Sequence, residues 1–412
     1  MASGNLQALV LAIERAETCP AQIKLIEKNA DLIKRNAANM DGVLERFGVH
    51  KWTCIHAAVI RAKLSITNQV DSELLISQTR SLFLHCNVEH LREIKPVVCS
   101  ICREFTIYLT SRGMALRGIP IILMAIEKVR NSPEQLTSIH ADVCQLALSA
   151  KCFKPVLPLL DTDILDSECD KNAFGLQDAL LYFYYGGMIY GALRKWDRSL
   201  HFFNMCFMIP ISTQRSILDE AAKKHLLVSL IHQGKYPPDG VYLESIHSLM
   251  PTRQGTFDKY RALSNAFSSP DPATLARVID NEAETFRADK NFGLVKQLLD
   301  RHIKCRIQNL TKTFMTLSLS DLAARVHLSD AAEAEHHLLE MIPSKSIHVR
   351  INQEDETVRF LDDAERYDSA EMLKVLSQKM EKAMNLEKKM MQMSDQLALV
   401  LAASKKQSSV VQ

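Results

Sequence analysis

The stretch over residues 294–363 constrains the fold of this chain most, because only there does a helical pattern of apolar residues give way to an alternating one. Residues 294–314 place apolar side chains at steps of three and four, which predicts an amphipathic helix. Ser318 opens a Ser-Leu-Ser-Asp sequence whose hydroxyl can cap a short second helix. Ser329 is expected to cap a third helix in the same way. The predicted buried side chains of that third helix are Ala332, His336, Leu339 and Ile342.

Two short runs after the third helix alternate between apolar and polar residues, as strands with one buried face do. They cover residues 346–351 and 357–361 and are joined by a polar link. We expect them to form a hairpin with an exposed edge at residues 346–351 or 357–361, whose unmatched N–H and C=O groups could pair with another protein. A helix, a helix-turn-helix and a hairpin in this order predict a winged helix. The candidate contact residues of this winged helix are Ile347, Val349, Ile351, Val358 and Phe360.

Winged helices often bind DNA, so the charge of the third helix decides between two classes of partner. This helix has four carboxylates and no Lys or Arg, and the hairpin link adds three more carboxylates. Affinity for duplex DNA comes largely from neutralised phosphates, so this surface argues against nucleic acid. The acidic residues are Asp330, Glu333, Glu335, Glu340, Glu354, Asp355 and Glu356.

The chain before residue 294 has the pattern of a helical-repeat array. Only 13 Gly and 13 Pro occur in 412 residues, which favours helices over a turn-rich β architecture. Three linkers after apolar helices carry aromatics about forty residues apart, which is the period of a helix-hairpin solenoid. The linkers are Lys151-Cys152-Phe153, Arg194-Lys195-Trp196 and Gly234-Lys235-Tyr236. In the second repeat, the spacing is tetratricopeptide-like, and large and small packing residues alternate at Phe183, Gly187, Tyr190, Ser199 and Phe203.

Residues 364–404 contain no Gly or Pro and predict one continuous helix. Its apolar seam is spaced by threes and fours and is interrupted at Glu387 and Ser394. A helix of roughly forty residues is about 60 Å long, more than the winged helix could cover, so we expect the seam to enter a bundle with other chains. The alternative is a helix folded back on the chain's own solenoid. The seam residues are Leu373, Leu376, Met380, Ala383, Met390, Leu397 and Leu401.

The composition indicates a soluble, reduced intracellular protein. The net charge of +2 gives no sign of a polyanionic or membrane partner. Ten Cys are scattered without the regular spacing of a disulfide framework, which is typical of reduced thiols in protein cores. The first apolar run is too short for a secretory leader, and no stretch approaches the roughly 20 apolar residues of a membrane span.

We expect no catalytic, cofactor or metal site. Cys99 and Cys102 form the only Cys-x-x-Cys, and a zinc site needs about four ligands, so we interpret them as core thiols. The third helix is rich in Glu and His, but His336 and His337 point about 100° apart and form no ligand motif. Phosphate-binding loops, nucleophile elbows and kinase signatures are absent from the sequence.

The order of these elements resembles the PCI family, whose members occur in the proteasome lid, the COP-nine signalosome and a translation-initiation factor. The resemblance is carried by residues 317–323, the acidic third helix, the hairpin and the long last helix. Four further segments resemble the family of signalosome third subunits, at residues 135–142, 150–155, 184–190 and 310–314. We expect an all-α, tetratricopeptide-like array over 1–195, a PCI domain over 196–363, a bundle helix over 364–404 and a disordered end over 405–412. Within the PCI domain, residues 196–293 are helical repeats and 294–363 the winged helix.

The resemblance implies a non-catalytic scaffold subunit in the cytoplasm and nucleus. Its partners would be other signalosome subunits and, indirectly, the cullin-RING ubiquitin ligases from whose cullins that complex removes a ubiquitin-like modifier. The isopeptidase of the complex is a different subunit and needs a His-x-His motif, which is absent from this sequence. The alternatives are a proteasome-lid scaffold of the same architecture, a nucleic-acid-binding PCI protein and an enzyme with an unrecognised site.

Overall fold

The computed structural model describes residues 14, 18–37, 40–66, 71–164, 166–167, 175–209, 215–236, 256–344, 346–361 and 369–410. It confirms the predicted class, with helical repeats, a small antiparallel sheet and a long last helix. The chain forms two compact units, Met1–Cys305 and Arg306–Gln412. The first unit continues across the boundary that we predicted between residues 195 and 196. The expected disordered end falls partly on residues 411–412, which lie outside the described part, while the last helix extends to Val410.

The first unit is a succession of helices, and three clusters of buried apolar side chains follow one another along it. The helix Phe292–Thr311 begins in this unit and ends in the second. The helices are α1 (Cys19–Lys28), α2 (Ala30–Asn36), α3 (Asp41–Arg46), α4 (Thr53–Ser65), α5 (Ser72–His85), α6 (Val88–Glu93), α7 (Lys95–Ser111), α8 (Ala115–Val129), α9 (Ile139–Ala150), α10 (Leu157–Asp161), α11 (Leu176–Ala192), α12 (Trp196–Met208), α13 (Arg215–Gln233), α14 (Thr256–Ser268), α15 (Pro272–Asn281), α16 (Ala283–Ala288) and α17 (Phe292–Thr311). Among the described residues, no helix has both the length and the apolarity needed to cross a bilayer.

The three predicted linkers share one backbone turn. Lys151, Arg194 and Gly234 have φ angles of 53°, 57° and 73°, in the left-handed region where a helix commonly ends. After Arg194, the N–H of Lys195 donates to the carbonyl of Tyr190 at 3.0 Å, which satisfies a carbonyl of the last turn. Each of the three linkers therefore begins with a left-handed residue at the end of a helix.

Two adjacent glycines allow α11 and α12 to approach closely. A Cβ atom on Gly187 would lie 2.8 Å from the ring of Phe203, and one on Gly186 would lie 2.5 Å from the ring of Phe202. The hydroxyl of Ser199 donates to the carbonyl of Gly187 at 2.8 Å. The predicted close approach at Gly187 is confirmed, and it extends to Gly186.

A two-residue parallel pair also occurs in the first unit, between β1 (Gln135–Leu136) and β2 (Asp166–Ser167). We expected strands only within residues 294–363, and that expectation is wrong. Two residues are too few to show a period of two, so apolar alternation cannot reveal such a pair.

The second unit contains a three-stranded antiparallel sheet with the strand order β3-β5-β4. The N–H of Phe360 donates to the carbonyl of Met315 at 2.8 Å, on the side of β5 away from β4. Because β5 lies in the middle, the prediction that residues 357–361 could be an exposed edge is wrong, and β3 and β4 are the edges among the strands that the structure describes. The elements are β3 (Thr316–Ser318), α18 (Leu319–Val326), α19 (Ala331–Met341), β4 (Val349–Asn352), β5 (Thr357–Phe360) and α20 (Ala370–Val410).

The two predicted serine caps of this unit differ in outcome. The Ser318 hydroxyl accepts from the N–H of Asp321 at 3.0 Å and caps α18 as predicted. Ser329 is not the cap of α19, because Asp330 occupies the N-cap position. The Ser329 hydroxyl donates instead to the carboxylate of Glu333 at 2.7 Å.

The buried face of α19 also differs from the predicted one. Ala334, Leu338 and Met341 are buried, whereas Leu339 and Ile342 are exposed. Both sets of apolar residues recur at helical spacing, so periodicity alone does not select between the two faces. The exposed His336 lies on the solvent side as well.

Candidate interaction surfaces

The five candidate contact residues of the winged helix lie at different depths. Val358 is 0% exposed, Ile347 5% and Phe360 7%, so their side chains belong to the core of the second unit. Val349 and Ile351 are half-buried. The three core side chains are therefore not available to a partner, and the backbone of β4 is the exposed feature of the hairpin.

The hydrogen-bond register shows which backbone groups of β4 face outward. The N–H of Leu361 donates to the carbonyl of His348 at 2.8 Å, which makes these two residues a hydrogen-bonded pair. Such pairs alternate along an antiparallel ladder, so Val349 and Ile351 direct their backbone groups away from β5. This edge offers the N–H and C=O groups that strand addition requires.

A pair of arginines occupies the outer face of the sheet. Arg350 of β4 lies directly opposite Arg359 of β5, and both side chains are exposed. Like charges directly opposite each other on a sheet are destabilising by themselves. The link between the strands is acidic, with Glu354, Asp355 and Glu356 exposed. The winged helix thus has a basic sheet face and an acidic wing tip.

The long helix α20 is 41 residues long, and its apolar seam is exposed to solvent. When the seam is numbered in heptads with Leu373 at position a, its two interruptions, Glu387 and Ser394, both occupy position a. Position d is apolar in every heptad of the seam. The opposite side of the helix is polar over its first three heptads, at Gln378, Asn385 and Gln392. The predicted contact residues Leu373, Leu376, Met380, Met390, Leu397 and Leu401 are between 54% and 67% exposed.

Apolar residues also flank the seam of α20 on both sides. Met384 and Met391 lie on one flank, and Leu386 and Met393 lie on the other. All four are exposed. A single partner helix covers only a narrow a/d seam, so this apolar face is wider than one helix would cover.

One charged network of the first unit surrounds the buried carboxylate of Asp142. The Arg103 guanidinium lies 3.0 Å from a carboxylate oxygen of Asp142 and 2.5 Å from one of Asp178, so it connects α7, α9 and α11. Burial raises the pKa of Asp142 to about 7 although Arg103 opposes this shift. Each of these three side chains forms an ion pair with another member of the network, which fits a structural role.

The Cys-x-x-Cys thiols are also placed for structure. Cys102 is buried and Cys99 is half-buried in α7. Burial raises the pKa of both thiols above the usual value. Protonated thiols are poor nucleophiles, so this arrangement favours the interpretation as core residues.

Residues 18–245 match the family model described as COP9 signalosome complex subunit 3, N-terminal helical repeats, which covers more than half of the chain. The chain belongs to this family. Residues 278–362 match the PCI domain model. A COP9 signalosome complex subunit 3 from Drosophila melanogaster is 38% identical over 364 residues, which is 84% of this chain and 81% of the relative. The protein of the same name from Arabidopsis thaliana is 34% identical over 313 residues, 76% of this chain and 71% of the relative.

Two features of these surfaces were missed by the sequence analysis. The strand β3 has three residues, too few to show alternation. The opposition of Arg350 and Arg359 depends on the hairpin register, which the sequence leaves open. The length of the link between the strands was the one signal that could have revealed this pair, because it determines which residues of the two strands lie opposite each other.

Proposed function

We propose that this member of the signalosome subunit 3 family is a non-catalytic scaffold that holds other subunits through its winged helix and α20. Membership in the family and the PCI domain support its place in that complex. In this proposal it contributes to removal of the ubiquitin-like modifier from cullins by assembling the complex, whose isopeptidase is another subunit. Its contact with cullin-RING ligases is indirect, and it acts in the cytoplasm and nucleus.

The exposed apolar face of α20 is the observation that carries this proposal. At about 1.5 Å per residue the helix is about 60 Å long. Burying one Leu or Met side chain contributes roughly 1.5 to 3 kcal/mol, so six seam residues represent on the order of 10 kcal/mol that a helical partner can recover. The flanking Met and Leu residues widen the face beyond one partner, which supports a bundle of several subunits.

Two glutamines on the polar side of α20, Gln378 and Gln392, provide a control for substitutions in the seam. The seam and control variants gain the same charges and differ only in the side of the helix that carries them. Leu376→Glu with Met390→Glu places two carboxylates in the seam, and Gln378→Glu with Gln392→Glu places the same two on the opposite side. Each tagged variant is expressed in cells, and the recovered subunits are quantified by mass spectrometry. We expect the seam pair to lose at least nine-tenths of the recovered signalosome subunits and the control pair to retain them. Equal recovery with both pairs would refute the bundle contact.

The same experiment distinguishes the alternative assemblies. Recovery of proteasome-lid subunits in place of signalosome subunits would assign the chain to that complex. Recovery of nuclease-sensitive material would support nucleic-acid binding, which the exposed acidic wing tip argues against.

A further inference from the structure

Three potential metal ligands from separate helices meet near the N-terminal end of the first unit. Cys19 is the first residue of α1, Cys54 lies in the first turn of α4, and His90 lies in α6. One ligand atom from each residue lies within 4.8 Å of the other two. The two Sγ atoms are 3.2 Å apart. The fold therefore brings together donors that are far apart in the chain.

Both thiols are shielded from solvent, the His90 side chain is half-buried, and one of its ring nitrogens lacks a hydrogen-bond partner in the described part of the chain. Cys19 and Cys54 are 4% and 1% exposed. The Nδ1 atom of His90 is buried and has no hydrogen-bond partner in the described part of the chain. A buried ring nitrogen without a partner costs free energy, and a bound ligand would remove that cost.

A carboxylate stands beside this group. Glu93 follows His90 by three residues in α6, and besides burial its negative charge is one of the causes that raise the pKa of the Cys19 thiol. Residues three apart on a helix share a face, so Glu93 can reach the same site by rotation of its side chain. It is available as a fourth ligand, and water is the other candidate for that position.

We propose that Cys19, Cys54 and His90 bind a structural Zn²⁺ ion that fastens α1 to α4 and α6. Two sulfurs and an imidazole nitrogen are a donor set typical of Zn²⁺, which prefers four ligands in a tetrahedron. Zn–S bonds of about 2.3 Å place two sulfurs about 3.8 Å apart, so the present pair needs to open by roughly half an ångström. Binding releases the two thiol protons to solvent and leaves both sulfurs as thiolates.

The alternative use of the two thiols is a disulfide, and the surroundings favour the metal. A disulfide would use both sulfurs and leave the His90 nitrogen without a partner. A metal ion would bind both sulfurs and a His90 ring nitrogen at once, because the three residues place one ligand atom each within 4.8 Å of one another.

This proposal replaces the expectation of no metal site, which rested on spacing along the chain. Zinc motifs in sequences usually pair ligands two to five residues apart. Cys19 and Cys54 are 35 residues apart, so no such motif could reveal them. The proposal is independent of the proposed function, because a chain that assembles normally without zinc would overturn only the metal site.

The first test is the metal content of the purified full-length chain, reduced, incubated with Zn²⁺ and freed of loose metal. We expect one zinc per chain by elemental analysis. Cys19→Ser, Cys54→Ser and His90→Gln are expected to lower the affinity for Zn²⁺ at least tenfold in competition with a chromophoric chelator. Cys86→Ser is the matched control, because Cys86 is a buried thiol of the same apolar cluster outside the ligand group. It is expected to bind as the unaltered chain does.

A second measurement keeps the test valid if a ligand variant fails to fold. Co²⁺ bound to the unaltered chain is expected to show a thiolate charge-transfer band in the near ultraviolet, which Zn²⁺ displaces. Absence of zinc and of this band in the folded chain would overturn the proposal. In the chain purified without reductant, a mass two hydrogens lower, with Cys19 and Cys54 recovered as one cross-linked peptide, would assign a disulfide instead. Equal affinity in the three ligand variants and the Cys86 control would also refute it.

Discussion

The repeat helices of the first unit and the helix α20 both carry apolar residues at helical spacing, but they satisfy this pattern in different ways. Helices α11 and α12 bury theirs against each other, to the point where Gly186 and Gly187 leave no room for a side chain. Helix α20 leaves its seam more than half exposed. The same kind of sequence pattern is therefore satisfied by packing within the chain in one region and leaves an exposed apolar face in the other.

Truncating one leucine in each region gives the largest expected contrast. Leu226 is fully buried in α13, so Leu226→Ala should lower the free energy of unfolding by about 3 kcal/mol through lost burial and a cavity. Leu376→Ala should change it by less than about 0.5 kcal/mol, because the side chain is already exposed. Urea unfolding of the free chain measures both. A cost at Leu376 close to that at Leu226 would show that α20 is covered within the chain.

Acid should weaken the buried region through His225. This ring is fully buried, and burial lowers its pKa from 6.5 to about 4. The unfolded chain takes up this proton more readily than the folded chain does. The contribution of His225 to the free energy of unfolding is therefore complete above pH 6.5 and is lost as the pH falls toward 4. His225→Leu should remove about 2 kcal/mol of the stability difference between pH 7.5 and pH 5, a figure from the two pKa values.

The readout for His225 is the difference in pH dependence between the variant and the unaltered chain in urea unfolding. This comparison cancels the opposite contribution of Asp142, whose pKa is raised to about 7 and which favours the folded state as the pH falls. Parallel pH profiles for the two chains would contradict the assignment.

Adding one methyl group at two positions of α11 tests how tightly the repeat is packed. Gly186→Ala places a Cβ 2.5 Å from the Phe202 ring and should cost roughly 1 to 2 kcal/mol. Gly191→Ala meets only the Ser199 hydroxyl at 3.4 Å and should be neutral or stabilising by up to about 1 kcal/mol, since Ala favours a helix over Gly. Thermal unfolding compares them, and equal shifts would argue against the close approach.

The smallest effect on the free chain is expected at the edge of the sheet. Ile351→Pro removes an N–H that points away from β5, so the change in stability should stay below roughly 1 kcal/mol. Arg350→Pro removes an N–H that faces β5 and should cost more. If β4 receives a strand from another subunit, Ile351→Pro lowers recovery of the complex while the fold persists by circular dichroism. Full recovery would show that the edge is not used.

Features that repeat along the chain could be predicted, and features that depend on long-range pairing could not. The linkers at Lys151, Arg194 and Gly234 and the small residue at Gly187 follow from spacing, and the structure confirms them. The Ser318 cap follows from local hydrogen bonding and is also confirmed. These properties are set by residues within a few turns of each other.

The misses share a physical reason. The buried face of α19, the place of β3 beside β5 and the meeting of Cys19 with His90 are each decided by segments distant in sequence. Alternation also located the hairpin without showing that β5 has a neighbour on each side, so a core residue such as Phe360 was taken for a contact residue. The interface roles of the remaining candidates stay predictions.

The central position of β5 has a consequence for the order in which the second unit can be made. The strand β3 and both short helices are synthesised before β5, whose N–H groups complete the sheet on both sides. Until Phe360 has left the ribosome, β3 and β4 have no strand between them. The winged helix therefore closes in one late step, and a nascent chain stopped before Thr357 would carry its helices without a sheet to pack on.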